Sequence, residues 1–136
     1  MDDLYKSMKI SAAGMKAQGT RLRVIAENIA NAESLAQSPQ GDPYRRKTIT
    51  FKSALDRSLG FETVRIDKTL PDTKPFDKQY MPRHPAADAD GYVQVPNVNS
   101  LIEIADMREA ERSYEANLTV IKSSKSMLKS ALDILR

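Results

Sequence analysis

Residues 4–31, LYKSMKISAAGMKAQGTRLRVIAENIAN, decide how the chain is read. Steps of four and three place Leu4, Met8, Ser11, Met15, Gln18, Leu22, Ile25 and Ile29 on one line. That spacing is the 3.5-residue period of a coiled-coil seam, interrupted by polar Ser11 and Gln18. Ala12, Ala13, Ala17, Ala26 and Ala30 widen the stripe with small side chains. Gly14 and Gly19 each cost roughly 1 kcal/mol against alanine in a helix. Close approach of another helix over the nearly bare Ser11–Gly14 surface is the expected offset.

The other end of the chain repeats the pattern with Met107, Ala110, Tyr114, Asn117, Ile121, Ser124, Leu128, Ala131 and Leu135. Val120, Met127 and Ile134 add a flanking row, and Leu118 and Leu132 make this helix apolar on more than one side. Such a helix wants more than one partner. Its charges are ordered, with Glu103, Asp106, Glu109, Glu111 and Glu115 first and Lys122, Lys125, Lys129 and Arg136 after them. The order complements the helix macrodipole at both ends, and by itself it reads as a solvated face.

The middle differs in composition. The chain has 136 residues, 40% hydrophobic and 29% charged, with a net charge of +3. All seven prolines fall between Pro39 and Pro96, and six of the eight aromatics between Tyr44 and Tyr92, so turns and strands belong there. Gly41-Asp42-Pro43 signals a turn. Tyr44–Phe51 alternates as a strand does, Lys52–Leu59 suits a short helix or loop, and Phe61–Asp67 is a second strand with Val64 and Ile66 on one face. Leu70–Asp90, with four prolines, is expected to be an irregular extended loop. Gly91–Val95 is a third strand stopped by Pro96, and Asn97 or Asn99 caps the following helix.

The expected fold class is therefore mainly α with a small β part. N- and C-terminal helices pair as an antiparallel coiled-coil-like stem, with a β-ribbon and extended loop between them. The division is 1–34 for the first helix, 35–99 for the middle and 100–136 for the second helix. A lone pair of helices with polar seam positions and few aromatics is marginal, and assembly with neighbours is the natural remedy.

Several function classes drop out. The chain has no Cys, which removes disulfides, thiolate nucleophiles and Cys-based zinc sites. No window approaches the ~18 apolar residues of a membrane span, and the acidic start at Asp2 and Asp3 is unlike a cleaved secretory signal. His84 is the single histidine, flanked by Pro82 and Pro85, and is read as a loop residue rather than a metal ligand beside Asp88 and Asp90. Asp88–Gly91 lacks the rest of a calcium loop. No catalytic set, metal site or cofactor site is expected. Arg45-Arg46-Lys47 beside Tyr44 is a crude nucleic-acid patch, with an acidic neighbouring subunit an equally good partner.

Three stretches carry a resemblance. Asn28-Ile29-Ala30-Asn31-Ala32-Glu33-Ser34 resembles the N-x-A-N-x-x-[Ser/Thr] signature of flagellar rod and hook axial proteins. Gly41–Lys47, with Pro43, Tyr44, Arg45, Arg46 and Lys47, is similar to the G-x-P-Y-R-R-K segment of the proximal-rod members of that family. Tyr80–Asn99 looks like their long central motif, carried here by Tyr80, Pro82, His84, Pro85, Asp88, Gly91, Tyr92, Val93, Pro96, Asn97 and Asn99. Asp106-Met107 and Tyr114–Asn117 match their C-terminal helix.

The resemblance implies a structural subunit of the bacterial flagellar basal-body rod, which transmits motor torque and encloses the export channel. It implies export from the cytoplasm by the flagellar type III apparatus without a cleaved signal peptide, and residence in the rod crossing the periplasm. Its partners would be copies of itself, other rod proteins, and the basal-body ring and export-gate junction, with no nucleic acid, no direct membrane insertion and no cofactor. The seam residues Leu4, Met8, Met15, Leu22, Ile25 and Ile29 are expected to meet Met107, Tyr114, Ile121, Leu128 and Leu135. A cytosolic coiled-coil adaptor, and a weak nucleic-acid binder using Arg45–Lys47, are the competing readings.

Overall fold

Two asparagines set the ends of the helices. At the close of α1 (Asp2–Ala30), the Glu27 carbonyl accepts from both the backbone N (3.1 Å) and Nδ2 (2.9 Å) of Asn31, which pins the last turn. At the start of α2 (Ser100–Ile134), Asn99 Oδ1 accepts from Leu101 N (3.1 Å) and Ile102 N (3.4 Å). That is the N-cap geometry, and it assigns the cap to Asn99, not Asn97. The computed structural model describes residues 1–136. The order is α1, β1 (Lys47–Asp56), β2 (Phe61–Pro71), β3 (Asp77–Tyr80), β4 (Tyr92–Val95) and α2, with β1 pairing β2 and β3 pairing β4. This is the mainly α fold with a small β part that the sequence implies.

The chain divides into two compact units, each holding a piece of both helices. Unit 1 comprises Met1–Leu22, Thr50–Lys68 and Arg108–Arg136. Within it a Cβ on Gly14 would stand 2.8 Å from Asn117 Nδ2, and Arg21 donates to Glu109 (3.4 Å), so the helices run antiparallel. Gly14 therefore permits the close approach expected of it. Gly19 has no atom within 4 Å of its missing Cβ and serves no such purpose. Gly19→Ala should raise the unfolding free energy by about 0.8 kcal/mol through helix propensity alone. Gly14→Ala should bring no such gain, because Asn117 must give way. Urea denaturation followed by circular dichroism checks both.

The hairpin in unit 1 turns through residues 57–60. A link that short cannot make a parallel crossover, so β1 and β2 are antiparallel. Asp56 Oδ1 accepts from Ser58 N (3.0 Å) and Ser58 Oγ (2.6 Å), while Gly60, at φ +72, donates to the Asp56 carbonyl (2.8 Å). Those Ser58 bonds hold the Asp56 carboxyl below its ordinary pKa. Residues 52–56 thus belong to a strand, not to a helix or loop as their weak pattern suggests. β2 buries Thr63 and leaves Val64 exposed, so its packed face is not the one the apolar residues mark.

Unit 2 comprises Arg23–Ile49 and Thr69–Met107. Its buried apolar side chains are Val24, Ile25, Ala86 and Val93, with Pro43 and Pro96 also buried. Residues 70–90 are not one irregular loop: β2 reaches Pro71, and β3 pairs antiparallel with β4 in the register Asp77↔Val95 to Tyr80↔Tyr92. The Tyr80 and Tyr92 rings meet edge to face at 5.4 Å. Between these strands Asp88 Oδ1 accepts from Asp90 N (3.0 Å) and Tyr92 N (2.9 Å), and Gly91 turns at φ +84. Asp88 is thus a turn residue.

Candidate functional site

The most heavily bonded place in unit 2 is polar. Glu103, Val93 and Asn28 are the largest fully buried side chains, Glu103 at 0% and Asn28 at 1% exposure. An asparagine amide has two donor and two acceptor positions, and a buried one must fill them. Asn28 fills all four: Nδ2 donates to the Lys47 carbonyl (2.8 Å) and to Glu103 Oε2 (3.2 Å). Its Oδ1 accepts from Tyr44 hydroxyl (2.8 Å) and Lys47 N (2.9 Å). One amide therefore ties α1, the start of β1 and the first turn of α2.

Arg46 completes the cluster. Its Nε donates to Glu103 Oε1, Nη1 bonds Asp72 Oδ2 (3.1 Å), and Nη2 lies 3.7 Å from Asp106 Oδ2. Burial works against the Arg46 charge, but Glu103 and Asp72 outweigh it and hold its pKa above the ordinary value. Asp72 is held below its usual range, first by the Lys74 backbone N–H (2.9 Å) and then by Arg46 against the opposing effect of burial. Burial, with the charges of Glu27 and Glu103, pushes the Tyr44 phenol up. Around this centre Asn97 Oδ1 accepts from Arg46 N (2.7 Å), and Asn97 Nδ2 donates to the Asp72 and Lys74 carbonyls (3.2 and 3.0 Å). Arg45 Nη1 donates to the same two carbonyls (2.7 and 3.0 Å), with its guanidinium 4.1 Å from the centre of the Phe76 ring. Lys47 Nζ pairs with Glu27 (2.6 Å).

The motif residues thus fall into place. Asn28, Asn31, Tyr44, Arg45, Arg46, Lys47 and Asn97 join one network, with Ser34 Oγ bonded to Asn31 Oδ1 (3.0 Å). Asn99 caps α2. Tyr80, Gly91 and Tyr92 pack in the β3–β4 loop, where a Cβ on Gly91 would lie 2.9 Å from Tyr80 Cε2 and 3.1 Å from Pro82 Cβ. His84 Nδ1 accepts from Ala86 N (3.0 Å), the role of a loop residue, and Pro85 is exposed beside it. Within the basic run, Arg46 and Lys47 pair with carboxylates of the same chain, and Arg45 bonds two backbone carbonyls.

Glu103 is the buried, doubly bonded residue that the solvated-face reading of its helix conceals. The seam line, taken back four residues from Met107, lands on it. Along that line and its partner, Ile25 is buried, and Leu4, Met8, Met15, Leu22, Ile29, Met107, Tyr114, Ile121 and Leu128 are half-buried. Leu135 stands 80% exposed. Exposed apolar side chains gather on α2 at Leu101, Ile102 and Ile104, and again at Val120, Met127, Leu132 and Ile134. No three His, Cys, Asp or Glu side chains converge as metal ligands, and no helix is long and apolar enough to cross a membrane.

Known proteins fit this arrangement. A family model described as the C-terminal part of flagellar basal body rod FlgEFG proteins matches residues 89–134, which cover β4 and all of α2. The flagellar basal-body rod protein FlgC of Agrobacterium fabrum is 51% identical over 136 residues, covering all of this chain and 98% of its own. The chain belongs to the FlgC family of flagellar basal-body rod proteins. The FlgC protein of Borreliella burgdorferi is 41% identical, with 98% of each chain covered. That of Salmonella typhimurium is 38% identical over 96% of this chain and 97% of its own. FlgC proteins are structural components of the rod, and likeness along their full length favours that role over an adaptor or a nucleic-acid binder.

Proposed function

We propose that the chain is a non-enzymatic subunit of the basal-body rod, polymerising into a helical tube that transmits torque and encloses the export channel. The observation that carries this reading is the near-complete match to FlgC proteins from three distant bacteria. The physics agrees with it, because unit cores this small, beside apolar rows left open on α2, suit a protein completed by its neighbours. Residues 1–34 and 100–136 act as the helical arms and 35–99 as the segment outside them. The seam from Leu4 to Ile29 packs on the seam from Met107 to Leu135, and the flanking rows meet other subunits. Copies of the chain, other rod proteins and the ring and export-gate junction are its partners. The flagellar type III apparatus delivers it from the cytoplasm to the periplasmic part of the rod without signal cleavage.

Ile121→Asp places a charge in the α2 seam. The expected result is loss of the subunit from isolated basal bodies and loss of swimming in cells carrying only that copy. Normal swimming overturns the seam packing.

A further inference from the structure

Charge is divided unevenly between the two units. Unit 1 carries 14 basic against 9 acidic side chains, and unit 2 carries 7 against 9. Unit 1 also holds an open cleft of about 770 Å³ between α1 and the β1–β2 hairpin. Its lining combines Ala12, Ala13 and Ala17 with Lys9, Lys16 and Arg65, against one acid, Asp56. Unit 2 presents the converse, an apolar ridge on the first turns of α2 formed by Leu101 (77% exposed), Ile102 and Ile104. A net-basic cleft lined by small residues is complementary in charge to an aliphatic ridge on an acidic body.

We propose that the unit 1 cleft receives the Leu101–Ile104 ridge of a second copy of this chain. The contact joins two different surfaces, so it repeats head to tail around a ring or helical turn instead of closing into a two-fold dimer. The apolar side chains supply the buried area, and the opposed net charges favour this pairing over cleft on cleft or ridge on ridge. The proposal rests on the rod-subunit reading and specifies one of its interfaces.

The absence of cysteine makes the test clean. Ala13→Cys and Leu101→Cys copies are made as full-length chains and co-expressed in cells lacking the unmodified copy. Their basal bodies are isolated and oxidised with copper–phenanthroline. A disulfide between the two variants is expected at a yield several-fold above that of Ala13→Cys with Gln37→Cys, a control on an exposed unit 2 residue. The yield from purified, concentrated chain should fall as salt rises, since the steering is electrostatic. Cross-linking of Ala13→Cys only to itself, or only to a different rod protein, overturns the proposal. Basal bodies that contain both variants with no mixed disulfide overturn it while leaving the rod reading intact. Absence of the unmodified chain from basal bodies overturns the rod reading and this proposal together.

Discussion

Glu103→Ala should lower the unfolding free energy by about 3 kcal/mol, the low end of the cost of breaking a buried ion pair. The low end applies because Arg46 keeps Asp72 and Asp106 when Glu103 is removed. Asn28 would also lose one of its four bonds at a position sealed from water. Glu103→Gln discriminates further. Its amide oxygen can take the Arg46 bond, but its NH2 then faces the Asn28 NH2, and turning the group over only moves the conflict to Arg46. One reversed contact in a buried network costs about 1–3 kcal/mol. Replacing both, Glu103→Leu with Arg46→Leu, should recover little of the loss, because Asp72 and Asp106 then lose Arg46 and Asn28 still lacks its acceptor. Chemical denaturation measures all three variants. A Glu103→Ala chain within about 0.5 kcal/mol of the unmodified one, the range of ordinary surface changes, contradicts the assignment.

Gly91→Ala should cost nearly as much for a different reason. At φ +84 an alanine pays about 1–2 kcal/mol for the left-handed conformation. Its Cβ would also press on Tyr80 Cε2 at 2.9 Å and Pro82 Cβ at 3.1 Å. The Tyr80 ring, 65% exposed, turns aside only by giving up its edge contact with Tyr92, and the Pro82 ring is rigid. A total of about 3 kcal/mol follows when crowding of this kind is added to the backbone strain. Gly60→Ala is the internal control, since Gly60 has φ +72 but nothing within 4 Å of a Cβ. It should pay the backbone cost alone. Hydrogen exchange reads the effect locally: in Gly91→Ala the amides of Met81, Asp88 and Tyr92, bonded across this loop, should lose protection. Equal losses in the two variants would show that crowding at Gly91 contributes nothing.

The helices, the strand before Pro96 and an asparagine cap at Asn97 or Asn99 were legible because each rests on local rules. Heptad spacing, proline placement and short polar side chains need no knowledge of the rest of the chain, although the choice of Asn99 does. What was not legible depends on partners far away in sequence. The strand Asp77–Tyr80 shows no in–out alternation, because all four side chains are exposed and backbone pairing holds them. In residues 53–56 apolar Leu55 is exposed and Asp56 half-buried, against the usual pattern. Thr63 is buried in place of Val64 because the packed face is fixed by what lies against it. Glu103 reads as one acid among five, since its burial is tolerable only through Asn28 and Arg46, at separations of 75 and 57 residues. The seam period does point to it, once polar residues are allowed onto the line.

Those long separations also govern when the molecule becomes rigid. Asn28, Arg46 and Glu103 lie in the first, second and last thirds of the chain, so nothing closes the knot until about three-quarters of the residues are available. Closing so long a loop adds little to its entropic cost, which grows only logarithmically, but it slows folding because the contacts that reward it arrive last. A chain delivered from its N-terminus would hold a nascent α1 whose Asn28 has no carboxylate to bind. The acid that completes the cluster thus acts as a clock as well as a clamp, keeping the chain pliable until the second helix has begun to emerge.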